Sequence, residues 1–459
     1  MVKDMTKGSP LKLIVLFVLP LVLGNLFQQI YNLADAFIVG RTLGADAFGA
    51  VGSTAALFFL VVGFSGGLTA GFGVRVAQLF GAGDYKQMRK YIANSVYLSA
   101  IFSIVITVLT VIFTKELLTV TKTPDTLYAH AYNYIIVIFA GLGTIFLYNI
   151  CAAICRALGD SRTPLIFLMI SCVLNIVLSF VLIKVFHMGT EGSALGTVIA
   201  QLASGVMCLV FMKKKFAILK FEKGEWAIDT SYWGKLIIVG LPMALQFSIT
   251  AMGNIILQTA VNSLGNSVVI ATTAAYKVQG IAILPMEAIG VTLATFCGQN
   301  LGAGKYSRII TGIKIGTLIS MGYCMLMGVI MFFGGVSISE LFLGETSPEI
   351  NTAIVRFMHL TAPYYCILGI LFIFRNTLQG LGYGMMPMLG GVMELFARAY
   401  VSFGLIKSLG FDAVCYGGPI AWLSAALLVT IAYFFRIKTI RTACGERKKS
   451  FFNSLLVAE

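Results

Sequence analysis

A few polar side chains set inside long apolar runs carry the chemistry this sequence can do. Asp35 is an ionisable carboxylate within such a run, about six residues before Arg41 and so roughly 9 Å inside the end of a helix. Asn25, Gln28, Gln29 and Asn32 precede it. At the helical period these four and Asp35 share an arc of about 120°. Lipid is a costly neighbour for such a stripe, so it faces a cavity or another helix. Further runs carry Asn149, Asn175 with Ser179 four residues on, and Ser193 with Thr197 four residues on. One carboxylate and several neutral oxygens make a cation- or proton-coupling set of Asp35, Asn149, Asn175, Ser179, Ser193 and Thr197. A single negative charge suits Na⁺ or H⁺ better than a divalent ion, which gathers more carboxylates. Whether these groups converge is not fixed by periodicity.

The remaining polar positions divide between substrate contact and structure. Asn25, Gln28, Gln29, Tyr31 and Asn32 of the first run are candidates to line a substrate cavity, as are Gln246, Asn254, Gln258, Lys277 and Glu287 in the second half. Glu394 and Arg398, at i and i+4, read as a structural ion pair. Pro20 removes one helical hydrogen bond and kinks its helix, either statically or as a conformational hinge. Gly63, Gly67 and Gly71 form a small-residue stripe for close helix packing. No catalytic set is found. The three histidines are far apart, no metal-ligand spacing occurs, and the string Gly298–Tyr306 fails the P-loop pattern at Gln299 and Tyr306. The nine cysteines are odd in number and mostly lie in apolar runs, as small buried hydrophobes do. The chain is therefore expected to be neither an enzyme nor a cofactor protein.

The elements that must position these groups are transmembrane helices. Of the 459 residues 58% are hydrophobic and 11% charged, too few charges to cover a soluble surface. The apolar runs predict twelve spans, at 12–39, 47–76, 91–114, 128–153, 163–187, 191–212, 233–262, 268–297, 308–334, 352–375, 386–407 and 413–436. The first is too long for the core of a cleavable signal peptide and reads as a span. With the N-terminus placed inside, 25 of the 33 Lys and Arg fall on the inner side, 5 on the outer side and 3 within spans. By the positive-inside rule both termini are cytoplasmic, as an even number of spans requires. The net charge of +14 is thus an orientation signal, and no nucleic-acid partner is expected.

The two halves echo each other. Leu19-Pro20 is matched by Leu241-Pro242, and Leu43-Gly44 by Leu264-Gly265. Gln78 to Tyr85 (QLFGAGDY) is matched by Gln299 to Tyr306 (QNLGAGKY), and Arg156-Ala157-Leu158-Gly159 by Gln379-Gly380-Leu381-Gly382. The shifts are 222, 221, 221 and 223. The expected architecture is an all-α integral membrane protein of twelve transmembrane helices in two pseudo-symmetric six-helix bundles, a parallel repeat. The domains are residues 1–212, a cytoplasmic linker at 213–232, and 233–459 with a basic tail. Such repeats place a transported substrate at their interface.

Leu19-Pro20, the stretch Asp35 to Gly40, Gly81-Ala82-Gly83-Asp84, Arg156 to Asp160 with Pro164, Asn175-Ile176 and Gln379 to Gly382 occur in order over roughly 10–440. Together the chain resembles the multidrug and toxic compound extrusion (MATE) family, in its bacterial branch. That resemblance implies a V-shaped pair of bundles in the bacterial plasma membrane. It implies export of small lipophilic, often cationic, compounds by alternating access, in antiport with Na⁺ or H⁺, by a chain functional as a monomer. It also implies that Asp35 is the ion-responsive carboxylate, that Asn149, Asn175 and Thr197 are its polar partners, that any Na⁺ sits at Asp35, Asn175 and Thr197, and that Pro20 is the bending proline. Ser179 departs from the pattern, since many relatives carry a second Asp there, and so the choice between the two ions stays open. The alternative is a lipid-linked oligosaccharide flippase of the same superfamily, for which Lys277, Arg356 and Arg398 would supply positive charge.

Overall fold

The computed structural model describes residues 3–121, 123–343 and 347–456. All regular structure among them is helical. The first half contains α1 (Pro10–Leu43), α2 (Ala45–Ala82), α3 (Tyr85–Ile112), the short α4 (Thr114–Val120), α5 (Asp125–Ala140), α6 (Leu142–Ala157), α7 (Arg162–Lys184) and α8 (Thr190–Lys215). The second contains α9 (Ser231–Asn262), α10 (Asn266–Gly302), α11 (Tyr306–Leu343), α12 (Pro348–Thr361), α13 (Tyr365–Gly380), α14 (Met385–Tyr400), the short α15 (Ile406–Leu409) and α16 (Phe411–Leu456). Eleven stretches are long and apolar enough to cross a bilayer, and α5 with α6 makes a twelfth as one bent span. The twelve predicted spans are therefore present, with three internal breaks that hydropathy does not report.

Two of the breaks have a local cause. α5 and α6 meet at 50° across Gly141, whose missing side chain makes room for Val198 on α8. A 3₁₀ turn over Ala362–Tyr364, centred on Pro363, joins α12 to α13. A π-helical turn, Val401–Leu405, separates α14 from α15. The sequence repeat returns as a backbone repeat. Gly83 and Gly304 have φ of 74° and 64°, and Gly159 and Gly382 have φ of 79° and 91°. At these stations the repeated strings end helices in the left-handed region, which glycine enters without steric penalty. Asp84 then caps α3, accepting a hydrogen bond from Gln87 N at 3.0 Å.

The chain divides into two compact units. The first consists mainly of Leu19–Phe80 and Asp84–Ala251, the second of Asp4–Val18, Gly81–Gly83 and Met252–Glu459. The division thus passes through α1 one residue before Pro20, and through α9 after Ala251. In the first unit α7 packs on α8, and α8 on α5 and α6. Leu68, Phe72, Phe146, Ile150 and Leu236 form part of its core. The glycine stripe of α2 lies against α9: a Cβ at Gly67 would come within 2.6 Å of Met243 O, and one at Gly63 within 3.3 Å of Phe247. In the second unit α10 packs on α11 and α13, and α16 on α13 and α14. Phe374 and Tyr433 stack there at 4.0 Å. Between lipid-facing helices it is such close packing and polar contact, not removal of apolar surface from water, that holds neighbours together. Eight cysteines are described and all are free thiols.

Candidate ion-coupling site

Four helices of the first unit supply one polar cluster around Asp35. α7 and α8 approach closely because Gly196 carries no side chain; a Cβ there would lie 2.8 Å from Ser179 Oγ and 3.0 Å from Ser179 N. Ser171 Oγ also donates to Ala200 O at 2.8 Å, pinning α7 to α8 a few turns away. This approach places Ser179 beside Ser193, and α1 lays Asp35 against both. Ser193 Oγ donates to Asp35 Oδ1 at 2.5 Å and Ser179 Oγ to the same oxygen at 3.3 Å. The Tyr134 phenol of α5 lies beside the same carboxylate, within its electrostatic reach. Asp35 is buried, and no Lys or Arg pairs with it among the described residues.

One turn along α8 lies a second, continuous layer. Thr197 Oγ1 accepts from Tyr31 OH at 3.0 Å and from Asn175 Nδ2 at 3.1 Å, and donates to Ser193 O at 3.2 Å. Its hydrogen-bonding capacity is used. Asn175 is fully buried, yet its Oδ1 has no hydrogen-bond partner among the described residues. An enclosed amide oxygen without a donor is expensive. Beside an uncompensated carboxylate and three hydroxyls, this acceptor fits a small oxygen-seeking cation, and the carboxylate alone fits a proton.

The other predicted positions fall elsewhere. Asn149 Nδ2 donates to Ser65 Oγ on α2 at 3.1 Å and does not join the Asp35 cluster. On α1, Gln28 and Gln29 are exposed, Asn25 is half-buried, and the side chain of Asn32 lies outside the described ones. Of the α1 cavity candidates whose side chains are described, Tyr31 reaches the cluster. Gln246 is buried in the first unit. In the second unit Asn254 and Lys277 are exposed, Gln258 Nε2 donates to Asn262 Oδ1 at 2.9 Å, and Glu287 is half-buried. Arg356 pairs with Asp412.

Two participants escape sequence reasoning. Tyr134 sits in an apolar run where aromatics by default pack; its only signal is that a buried phenol must find a partner. Arg375, counted with the inner basic residues, lies within a helix instead, because α13 runs on to Gly380. There it joins the expected Glu394–Arg398 pair: Glu394 bonds Arg398 Nη1 at 3.1 Å and Arg375 Nη1 at 3.4 Å.

The MatE family profile matches residues 20–181 and 242–401, so its two copies begin on Pro20 and Pro242, the paired prolines of the repeat. The chain belongs to the MatE family. Members of this family are transporters, and this chain is a transporter and not an enzyme. The resemblance seen in the sequence motifs is thereby borne out. It is 28% identical to "Probable multidrug resistance protein YpnP" of Bacillus subtilis, over 94% of this chain and 96% of that one. It is 22% identical to "Multidrug export protein MepA" of Staphylococcus haemolyticus, over 94% and 95%. A solved MOP superfamily transporter from Pyrococcus furiosus has the same fold, with TM-score 0.87 and 20% identity, covering 95% of this chain and 98% of that one.

Proposed function

We propose that this MatE transporter exports small lipophilic, often cationic, compounds across the bacterial plasma membrane by alternating access, driven by Na⁺ or H⁺ taken up at Asp35. The family assignment and the names of its bacterial relatives support multidrug export. The observation that carries ion coupling is the Asp35 cluster: a buried carboxylate with hydroxyl donors, no basic partner among the described residues, and the unpaired Asn175 Oδ1 alongside. Burying an unpaired charge is costly, so occupancy by a cation or proton changes the energy of any conformation that encloses it. An ion that binds one conformation better shifts the population toward it, which is what coupling requires.

Lys and Arg, 25 on one side against 5 on the other, favour cytoplasmic termini. Every side chain of the cluster comes from one unit of one chain, which favours action as a monomer. The flippase alternative is not favoured, since the relatives named here are drug-resistance proteins.

The test is ethidium efflux from proteoliposomes under a Na⁺ gradient and, separately, a pH gradient. Efflux above the ungraded rate with at least one gradient supports the reading. Efflux indifferent to both contradicts it.

A further inference from the structure

The string Gly298–Tyr306 is unexplained by the ion site, and in the structure it holds a segment of chain. Residues 4–9, which precede α1, lie along the α10–α11 turn within the second unit. Met5 N donates to Gln299 Oε1 at 2.8 Å. Met5 O accepts from Asn300 Nδ2 and from Arg308 Nη2, each at 3.2 Å. Lys305 Nζ donates to Thr6 O at 2.8 Å, and Arg308 Nη1 to Gly8 O at 2.9 Å. Arg308 Nε is itself steadied by Asn300 Oδ1 at 3.1 Å. The Met5 side chain is 1% exposed. Lys3, by contrast, belongs to the first unit and has a backbone hydrogen bond to Leu158 O at 3.1 Å.

A comparable anchor lies in the other repeat, further along the helix that follows the matching turn. The segment before α9 lies on the first turns of α3 within the first unit. Arg89 grips Glu225 at 2.6 and 2.8 Å, Asn94 Oδ1 accepts from Asp229 N and Trp233 Nε1, and Tyr97 OH donates to Trp226 O. Each anchored segment leads into a helix that the unit division cuts: α1 between Val18 and Leu19, α9 between Ala251 and Met252.

We infer that residues 4–9 are a strap that fixes the base of α1 to the second unit. Gln299, Asn300, Lys305 and Arg308 act as positioning residues for transport, and Pro20 is the joint at which α1 passes into the first unit. The inference rests on the alternating-access reading, because a strap matters only if the two units move. When they do, the strap carries Asp4–Val18 with the second unit, so the displacement is taken up next to Pro20, fifteen residues before Asp35. A loose strap lets the base of α1 drift, and ion occupancy at Asp35 no longer drives the units. The contacts to the strap lie inside one unit, so it stays attached throughout the cycle.

Two variants test this, read by ethidium efflux, ethidium binding and hydrogen–deuterium exchange. In Lys305→Ala with Arg308→Ala, gradient-driven efflux should fall at least tenfold while ethidium binding stays within twofold. Amide exchange should rise in residues 12–18 and stay unchanged in 21–43. In Met5→Cys with Gln299→Cys, the reduced protein should share the tenfold loss, and an oxidised cross-link mapped by mass spectrometry should return efflux to within twofold of wild type. Wild-type efflux from the loosened variant, or arrest by the cross-link, overturns the strap. If the double alanine variant fails to fold, Gln299→Leu takes its place with the same expectations. If wild-type protein shows no gradient-driven efflux, the export reading fails. The exchange pattern then still decides whether the base of α1 is held by this anchor, since unchanged exchange in residues 12–18 contradicts it.

Discussion

Asp35 and Asn175 differ in what they lack. The carboxylate has hydrogen-bond donors but no opposite charge among the described residues, whereas the amide oxygen has no donor at all. A proton on Asp35 would answer the first deficit and leave the second; Na⁺ would answer both. Asn175→Ala therefore discriminates between the ions. If Na⁺ is bound, the Na⁺ concentration giving half-maximal efflux should rise about tenfold, the equivalent of ~1.4 kcal/mol for one lost ligand oxygen. An unshifted Na⁺ concentration would place Asn175 outside the ion site, and efflux driven by a pH gradient with no Na⁺ dependence would identify the proton as the coupling ion. Outside the membrane, Arg89 holds the Glu225 carboxyl down at about 2 by hydrogen bonding. A depressed carboxylate stabilises the fold above its unfolded value near ~4.3 and loses that contribution as pH falls through the folded one. Glu225→Gln should thus lower stability by about 2 kcal/mol at neutral pH, with the difference from wild type shrinking toward pH 2, as thermal unfolding would show. Asp35, Ser179, Ser193 and Thr197 stood out as candidates because polar groups in apolar helices need partners; that they meet is set by the close approach of α7 and α8 at Gly196. Asn149 obeyed the same rule but found Ser65, since spacing fixes the face of a helix and not the neighbour that meets it.

Helices, rather than loops, carry the features on which the proposed alternating access depends. α1 passes from one unit to the other beside Pro20, and α2 meets α9 along Gly63, Gly67 and Gly71. Pro20→Ala restores a main-chain donor and removes the ring clash, so α1 should become stiffer. Efflux should fall at least tenfold while the melting temperature stays level or rises; unchanged efflux would leave Pro20 as a static kink. Gly67→Leu would drive a side chain into the Met243 backbone, 2.6 Å from its first carbon. A destabilisation of about 1–3 kcal/mol is expected. Its measure is the temperature at which the detergent-solubilised protein loses its monodisperse gel-filtration peak. Hydropathy revealed the spans because a bilayer demands about 20 apolar residues from each helix. It was silent on the bend at Gly141, which depends on Val198 of another helix, and on the π-helical turn at Val401–Leu405, which leaves no compositional trace. The strap before α1 was equally silent, because most of its contacts run through main-chain atoms of Met5, Thr6 and Gly8.

For the whole molecule, the repeat that sequence strings announce is kept in backbone conformation while the chemistry has diverged. The first unit holds a carboxylate that no basic residue neutralises among the described residues, and the second holds the Arg375–Glu394–Arg398 group, in which one carboxylate bridges two guanidinium groups. The proposed coupling requires that Asp35 link the ion gradient to substrate movement. The direct measurement is gradient-driven ethidium efflux from proteoliposomes containing Asp35→Asn, beside ethidium binding to the same protein. The account predicts that gradient-driven efflux is abolished while binding and the melting temperature are retained. Efflux at the wild-type rate from folded Asp35→Asn protein would contradict it.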